Sequence, residues 1–374
     1  MLYFFWSYIS MMNQKNHSLS RREFLRSSLL GLGAAWYIQQ EEIPHLLQDD
    51  WREDQLYGRV CEGKVNLYQR PTTNSTVLGQ RYEDNIVLWL REVAGEAPAL
   101  GLSRKWVETP DGYIFSPRLQ PVRYSPNQPV EGLPESALGR GMWAEVSVPY
   151  TPVFVSNPPV RSPWLMDNPH PRFYFSQIFR INDMQTLSDG NTYYHAVQKW
   201  GYGDEFWVPA QAFRPIEPDE LSAINPQAEN KQIRVSSRYQ TLSCFEDSRE
   251  VFFCRVSTGA KFNAYGEEID EWATPRGRHL TWRKLISHHM SGGVSGSGWD
   301  LPGIGYTVLF SGGGEAIHST FWHNDFGIPR SRGCVNVAPE DAKWIFRWSE
   351  PHIPYDVGDL TVSMPGGTAV DVFD

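Results

Sequence analysis

From residue 56 to 123, apolar and polar positions alternate in short runs broken by Pro, Asn and Gly, as in GKVNLYQRPTTNSTVLGQ and WVETPDGYIFSPRLQPV. A period of two with turn residues between the runs predicts strands. The pattern recurs, because YIFSPRLQPV (113–122) aligns without gaps to WVPAQAFRPI (207–216), which suggests an internal duplication. The second copy, over 139–216, carries a Pro-rich insertion, NPPVRSPWLMDNPHPR, and IEPDELSAINPQAENK after it reads as a linker. A new unit starts near Asn230: QIRVSS, TLSCFE and REVFFCR are predicted strands, and YTVLF and EAIHST two more across an SGGGE turn. In APEDAKWIFRWSEP, Pro339 suits a first helical position and Glu340 and Asp341 suit the positive helix start. Ala342, Ile345 and Phe346 fall on one face, Pro351 stops the helix, and GTAVDVFD is a closing strand.

Composition sharpens this into a mainly β protein of more than one domain. A chain of 374 residues with 15 Trp, 17 Tyr, 19 Phe, 31 Gly and 27 Pro favours short strands and turns. The net charge of -9, with no basic run, removes the footprint of a nucleic-acid partner. Four cysteines are too few and too scattered for a disulfide scaffold; Cys244 and Cys254 either bridge a hairpin or pack as small apolar groups. No metal-ligand spacing is present, His318 and His323 included, so neither metal nor cofactor is expected.

The N-terminus has SRREFLR (20–26) before a short apolar run, LLGLGAAW. It resembles a twin-arginine export signal over residues 1–40, and no run reaches the roughly 18 apolar residues of a membrane span. The resemblance implies export to the cell wall or periplasm through the twin-arginine machinery, with the signal either removed or retained as a membrane tether. Segments 56–123 and 139–216 resemble bacterial Src-homology-3-like barrels, small five-stranded modules that either bind wall peptide or brace a catalytic domain.

The chemistry concentrates in AIHSTFWHNDFGIPRSRGCVNV (316–337). A His ends an apolar strand, and Ser-Arg-Gly-Cys follows on a tight turn. Gly333 before Cys334 permits close backbone approach, so that successive N–H groups converge on a substrate oxygen, and Arg332 is expected to favour the thiolate. His318, on its strand, is expected to be the rigid base, whereas His323, in the polar HNDFG loop, is expected to be poorly fixed. Asp325 is a candidate third member of a triad. His279, His288 and His289 are expected to be solvated, and Ser291–Gly303 is Gly-rich enough for a lid.

This stretch resembles the active-site signature of the L,D-transpeptidases, carried by His318, Ser319, Ser331, Gly333, Cys334, Val335 and Asn336. VSTG at 256–259, TPRG at 274–277 and the closing GTAVDV resemble the family's other landmarks, so the likeness spans 230–374. Where many members have His in the turn, Arg332 stands here. The resemblance implies a β-sandwich catalytic domain with a short helix; a monomer is expected. It implies Cys334 as nucleophile, His318 as base then acid, the Ser319 carbonyl orienting His318, and N–H groups of Arg332, Gly333 and Cys334 as the oxyanion hole. Trp322, Ser331, Arg332, Asn336, His323 and Tyr306 are the expected substrate contacts. The implied partner is a peptidoglycan stem peptide, joined to a second stem in a 3-to-3 crosslink. A cell-wall cysteine or zinc peptidase and a non-catalytic wall-binding protein are the alternatives. The first is disfavoured because its Cys precedes its His, the second because both His318 and Cys334 are retained.

Overall fold

The C-terminal residues build two facing five-stranded sheets in this computed structural model, which describes residues 51–374 apart from 62, 98–102, 137–138, 167, 263–265, 293–298 and 364–365. The expected export signal lies outside the described residues. Residues 52–374 form one compact unit.

In the first sheet of the sandwich the order is Arg249–Arg255, Thr241–Glu246, Lys231–Ser236, Ala369–Phe373, Gly277–Leu280. The closing strand therefore lies parallel to the first strand of the domain. The second sheet runs Val335–Val337, Ala316–Ser319, Trp299–Leu309, Arg283–Gly292, Asp359–Thr361. Between them Ile233, Val235, Leu242, Ile286, Val308, Ile317, Val335 and Val370 make a continuous apolar core. Cys244 and Cys254 sit in it as free thiols, opposite Phe252 and Leu242, so they pack as small apolar groups.

The helix Pro339–Trp348 seats Ala342, Ile345 and Phe346 on this core. Its last carbonyls are held by two lysines. Lys231 Nζ donates to Trp348 O at 2.9 Å and Lys284 Nζ donates to Ser349 O at 2.7 Å, and a cation at the negative helix end is favourable. Lys284 is 1% exposed, and burial pushes its ammonium well below the usual lysine range.

The two preceding modules have their own cores, around Val65, Trp89, Val107 and Ile114 in the first and around Phe173, Phe179, Tyr194 and Phe206 in the second. The aligned segments take the same course of strand, single 3-10 turn and strand, at 112–122 and 206–215. The expected barrels are not closed among the described residues. The first module has a three-stranded and a five-stranded sheet, the second a six-stranded and a two-stranded sheet, each with free edges.

The expected linker is packed structure instead. Ile216 and Leu221 join the sandwich core, Glu217 and Glu220 form a capping box, and Arg347 Nε donates to Ser222 O. Its apolar residues at 216 and 221 outweigh the Pro and Asn that suggested flexibility. The Pro-rich insertion is likewise a contact surface: Ser162 Oγ and Trp164 N both donate to Asp300 of the C-terminal sandwich.

One guanidinium joins all three folded regions. Arg59, 1% exposed, pairs with Asp84 at 2.9 Å, donates to Gln120 Oε1, lies 4.0 Å over the Tyr174 ring of the second module, and donates to Phe321 O of the C-terminal sandwich at 2.7 Å. Arg172 shares Asp84 at 2.6 Å. Removing one partner of a buried ionic network typically costs about 3–5 kcal/mol, and Arg172 remains to offset some of it. Arg59→Ala is expected to lower the unfolding free energy in urea by about 3 kcal/mol; a change within about 0.5 kcal/mol would show that this junction contributes no cohesion.

Candidate active site

Three rungs of parallel ladder set the geometry: Ile317 opposite Val335, His318 opposite Asn336, Ser319 opposite Val337. Cys334 stands at the start of the second strand and packs against Ala316 and Leu309 on one side. On the other it faces a cavity of about 190 Å³ lined by Met290, Trp299, Leu301, His318, Trp322, Arg330, Ser331, Arg332, Cys334 and Asn336. A larger groove of about 700 Å³ beside Trp282 offers no such pair: His279 Nε2 lies 3.0 Å from Pro275 O, and the Ser311 hydroxyl donates to Glu315.

The VSTG segment grips the turn that carries the thiol. Arg330 N and Ser331 N donate to Thr258 O, Ala260 N donates to Ser331 O, and Ser257 and Asn336 exchange both backbone bonds at 2.9 Å. Gln240 in turn holds Thr258 through its amide, accepting from Thr258 N and donating to its hydroxyl. Gly259 makes this packing possible, since a Cβ there would overlap the Trp272 carbonyl oxygen, and its N–H donates to Thr274 Oγ1 of the TPRG segment at 2.9 Å. Gly333 has φ +110, a left-handed conformation that permits the turn, and its N–H reaches Ser331 Oγ at 3.2 Å. Of the three expected oxyanion donors, that one is engaged inside the turn.

The imidazole of His318 is 1% exposed, and its tautomer follows from a chain of bonds that begins at a backbone donor. Asp325 N–H donates to His323 Nδ1 at 3.1 Å, so a neutral His323 carries its proton on Nε2 and gives it to Asn336 Oδ1 at 3.1 Å. Asn336 Nδ2 then donates to His318 Nε2 at 3.0 Å, leaving the proton of His318 on Nδ1, 2.7 Å from Ser319 O. Burial keeps both rings neutral: desolvation lowers His318 to about 4 and His323 to about 3, the latter helped by the nearby Arg330 charge. The basic atom of His318 is therefore Nε2.

Several expectations are corrected. His323 is buried at 2% exposure and fixed on Asn336 instead of facing outward from a loose loop, and it does not line the cavity. The polar HNDFG stretch concealed this because its polar groups satisfy one another internally: Arg330 pairs with Asp325, and Asn324 N donates to Pro117 O of the first module. Asp325 is not the partner of His318, whose Nδ1 faces a carbonyl. Tyr306 lies in the core, 2% exposed and 5.6 Å from the Phe346 ring, on the face it shares with Val308. His288 is half-buried and lowered to about 4, mainly by desolvation, and His289 contacts Asp300. Neither is solvated. Both ends of the expected lid are strand instead, belonging to the arms 283–292 and 299–309 of a long hairpin, with 293–298 outside the described residues.

Nor does Arg332 assist the thiol. Its guanidinium lies 5.0 Å from the Trp272 ring and 4.8 Å from the Trp299 ring. Desolvation instead pushes the Cys334 thiol up to about 11, with Glu315 adding to the rise and the Ala316 N–H opposing it. The resting pair is thus neutral thiol and neutral imidazole. Sequence reasoning missed Gln240, Trp272 and Trp299, of which only Trp299 carried a signal, as the aromatic residue in the Gly-rich SGSGWD run. No group of three or more potential metal ligands converges among the described residues.

Residues 230–372 match the L,D-transpeptidase catalytic domain family, YkuD, which places this portion of the chain, less than half of it, in that family. Similar solved structures include a mutant L,D-transpeptidase of Enterococcus faecium, 21% identical over 40% of this chain and 51% of that one, with a TM-score of 0.30. Others are the L,D-transpeptidases of Mycobacterium smegmatis (16%, 51% and 81%, 0.30) and Xylanimonas cellulosilytica (24%, 40% and 61%, 0.27). The chain thus spans about half the length of the Enterococcus protein. No curated protein matches it.

A base works only when unprotonated, and His318 stays neutral down to about pH 4. Acylation of Cys334 by an uncharged reagent is expected to be level from about pH 5 to 8, to fall as pH drops through about 4, and to rise only as the thiol ionises near 11. A rate limb centred near the unperturbed value of about 6.5 would show that His318 is solvated.

Proposed function

We propose that the chain is an exported peptidoglycan L,D-transpeptidase that forms 3-to-3 crosslinks through a thioester on Cys334. The observation that carries this reading is the shared cavity: a half-buried thiol and a neutral, carbonyl-oriented imidazole line it together, within the segment that matches the family.

The chemistry follows from the two resting states. Cys334 Sγ forms a bond to the carbonyl carbon of the stem's third residue as its proton passes to His318 Nε2. Asn336 Nδ2 occupies that lone pair at rest, so the amide must yield when substrate enters. Collapse of the tetrahedral intermediate breaks the C–N bond, and the proton on Nε2 goes to the departing amine of the terminal D-Ala. An acceptor amine from a second stem then attacks the thioester, gives its proton to Nε2, and the thiol is restored. The Nδ1 bond to Ser319 O stabilises the imidazolium that appears at each stage.

The accessory modules read best as braces for the C-terminal sandwich. Arg59 and Asn324 tie the first to the loop bearing Trp322 and His323, and Gln177, Ser162 and Trp164 tie the second to Asp300 and Pro302 near the turn end of the hairpin.

Incubation with a carbapenem followed by intact-mass analysis is expected to show one adduct on the full chain and none on Cys334→Ala. His318→Ala is expected to slow adduct formation by about 10²–10⁴-fold, with His323→Ala a smaller loss through a misplaced Asn336. An adduct surviving Cys334→Ala would move the nucleophile elsewhere.

Export is tested separately. Replacing Arg21 and Arg22 by Lys is expected to abolish twin-arginine transport of a fused reporter; undiminished transport would assign the N-terminus to another route.

A further inference from the structure

Residues 321–324 leave the sheet just after Ser319 and carry the Trp322 ring, which lies 5.9 Å from the His318 ring and lines the cavity with it. Among the described residues, this stretch is hydrogen-bonded to other segments at His323, on Asn336, and otherwise by the first module. Arg59 Nη2 donates to Phe321 O at 2.7 Å, Asn324 N to Pro117 O at 3.2 Å and Asn324 Nδ2 to Ser116 Oγ at 3.3 Å. The three nitrogens of Arg59 have three different acceptors, Gln120 Oε1, Asp84 Oδ1 and Phe321 O, so the plane of the buried guanidinium is fixed. It grips Phe321 a second time through the rings. Its face lies 4.0 Å over Tyr174, Tyr174 stacks on Phe321 at 5.6 Å and 19°, and Phe321 meets Trp322 edge-on at 5.2 Å. Close-packed groups of this kind pass a displacement on instead of absorbing it. Arg172 shares Asp84 and lies over the Tyr150 ring, and among the described residues no bond from it reaches the loop.

We propose that Arg59 is a positioning residue for the Cys334–His318 pair: by fixing Phe321 it holds the Trp322 ring beside His318 and keeps water from the imidazole. The inference rests on the transpeptidase reading only in taking Cys334 and His318 as the reacting pair. Burial is the main cause that lowers His318, and the bond to Ser319 O opposes it. The titratable and charged groups facing the ring are Cys334, Arg330 and Arg332 in the cavity lining, His323 beyond Asn336, and His288 of the hairpin. Arg59 is not among them, so it reaches the imidazole through the loop and not through its own charge.

The test is the pH dependence of Cys334 acylation by an uncharged reagent, measured on the full chain under conditions where each variant is folded by urea titration. With Arg59→Gln the lower limb is expected to move from about 4 to about 6, so that the rate falls about tenfold at pH 5 and changes by less than about twofold at pH 8. Arg59→Lys, which keeps one charged donor, is expected to fall between the two. Arg172→Gln weakens the same junction and is expected to leave the limb at about 4. A limb unmoved by Arg59→Gln would overturn the proposal, and so would an equal move in Arg172→Gln, which would mean general loosening. Where Arg59→Gln does not fold, Tyr174→Leu takes its place, because it removes the ring stacked on Phe321 and leaves the pair of Arg59 with Asp84. Its limb is expected at about 5, and one still at about 4 would sink the positioning role. Release of D-Ala from a tetrapeptide stem by the unmodified chain is followed in parallel. Its absence beside an Arg59-dependent limb would count against the transpeptidase reading and leave the positioning role standing.

Discussion

Everything at this site depends on a parallel pairing of two very short strands, Ala316–Ser319 and Val335–Val337. Parallel neighbours cannot be joined by a tight turn, so the chain must leave the sheet after Ser319 and return before Val335. The returning half of the excursion is held by backbone bonds to residues 256–260, from Gly327 N to Val256 O through to Ala260 N on Ser331 O, and the outgoing half by Asn324 N on Pro117 O. That tether gives a loop the rigidity of a sheet, which is what a nucleophile and its base require if they are to meet within hydrogen-bond reach. Gly259 and Gly333 are the two places where a side chain would prevent it.

The electrostatics follow from the same burial. Because His318 and His323 are buried by the ladder and its flanking loop and Cys334 is half-buried beside them, charge on any of them is costly, and each is driven toward its neutral form. Neutral imidazoles need a donor and an acceptor apiece, and the chain from Asp325 N through His323, Asn336 and His318 to Ser319 O supplies one of each to every ring. On the proposed reading, proton transfer is therefore coupled to attack, with no preformed thiolate. Arg332, a near neighbour of the sulfur in sequence, is drawn instead to two indoles brought there by distant segments.

That contrast explains how much was legible in advance. The strand alternation, the helix at 339–348 with its buried face, and the nearness of His318 to the Cys334 turn are local or motif-borne properties, and they appear as read. Tyr306 is instructive because its inward orientation is readable from its alternation with Val308, yet an aromatic near a motif suggests a substrate contact. His323, Gln240 and Trp272 are opaque for a different reason. Each acquires its role through a partner far away in sequence, Asn336, Thr258 and Arg332 respectively, and polarity alone does not distinguish a solvated group from one satisfied inside. The linker misleads on the same basis, since Pro and Asn describe its turns but not the core that Ile216 and Leu221 enter.

The packed linker also bears on what the modules contribute. Had residues 216–231 been a free tether, the catalytic domain would present its cleft independently of everything before it. Instead, Ile178 and Trp143 of the second module are members of the sandwich core, and Ser287 Oγ donates to Ile178 O across the boundary. The hairpin arm bearing Asp300, Leu301 and Trp299 thus has one face on the cleft and the other on the second module. The loop bearing Trp322 is placed the same way against Arg59 of the first. A segment shared between two cores responds to strain in either, because close-packed interiors transmit displacement instead of absorbing it. The walls of the cleft are therefore set by three folded regions at once, and its shape is a property of the assembled chain, not of the sandwich domain alone.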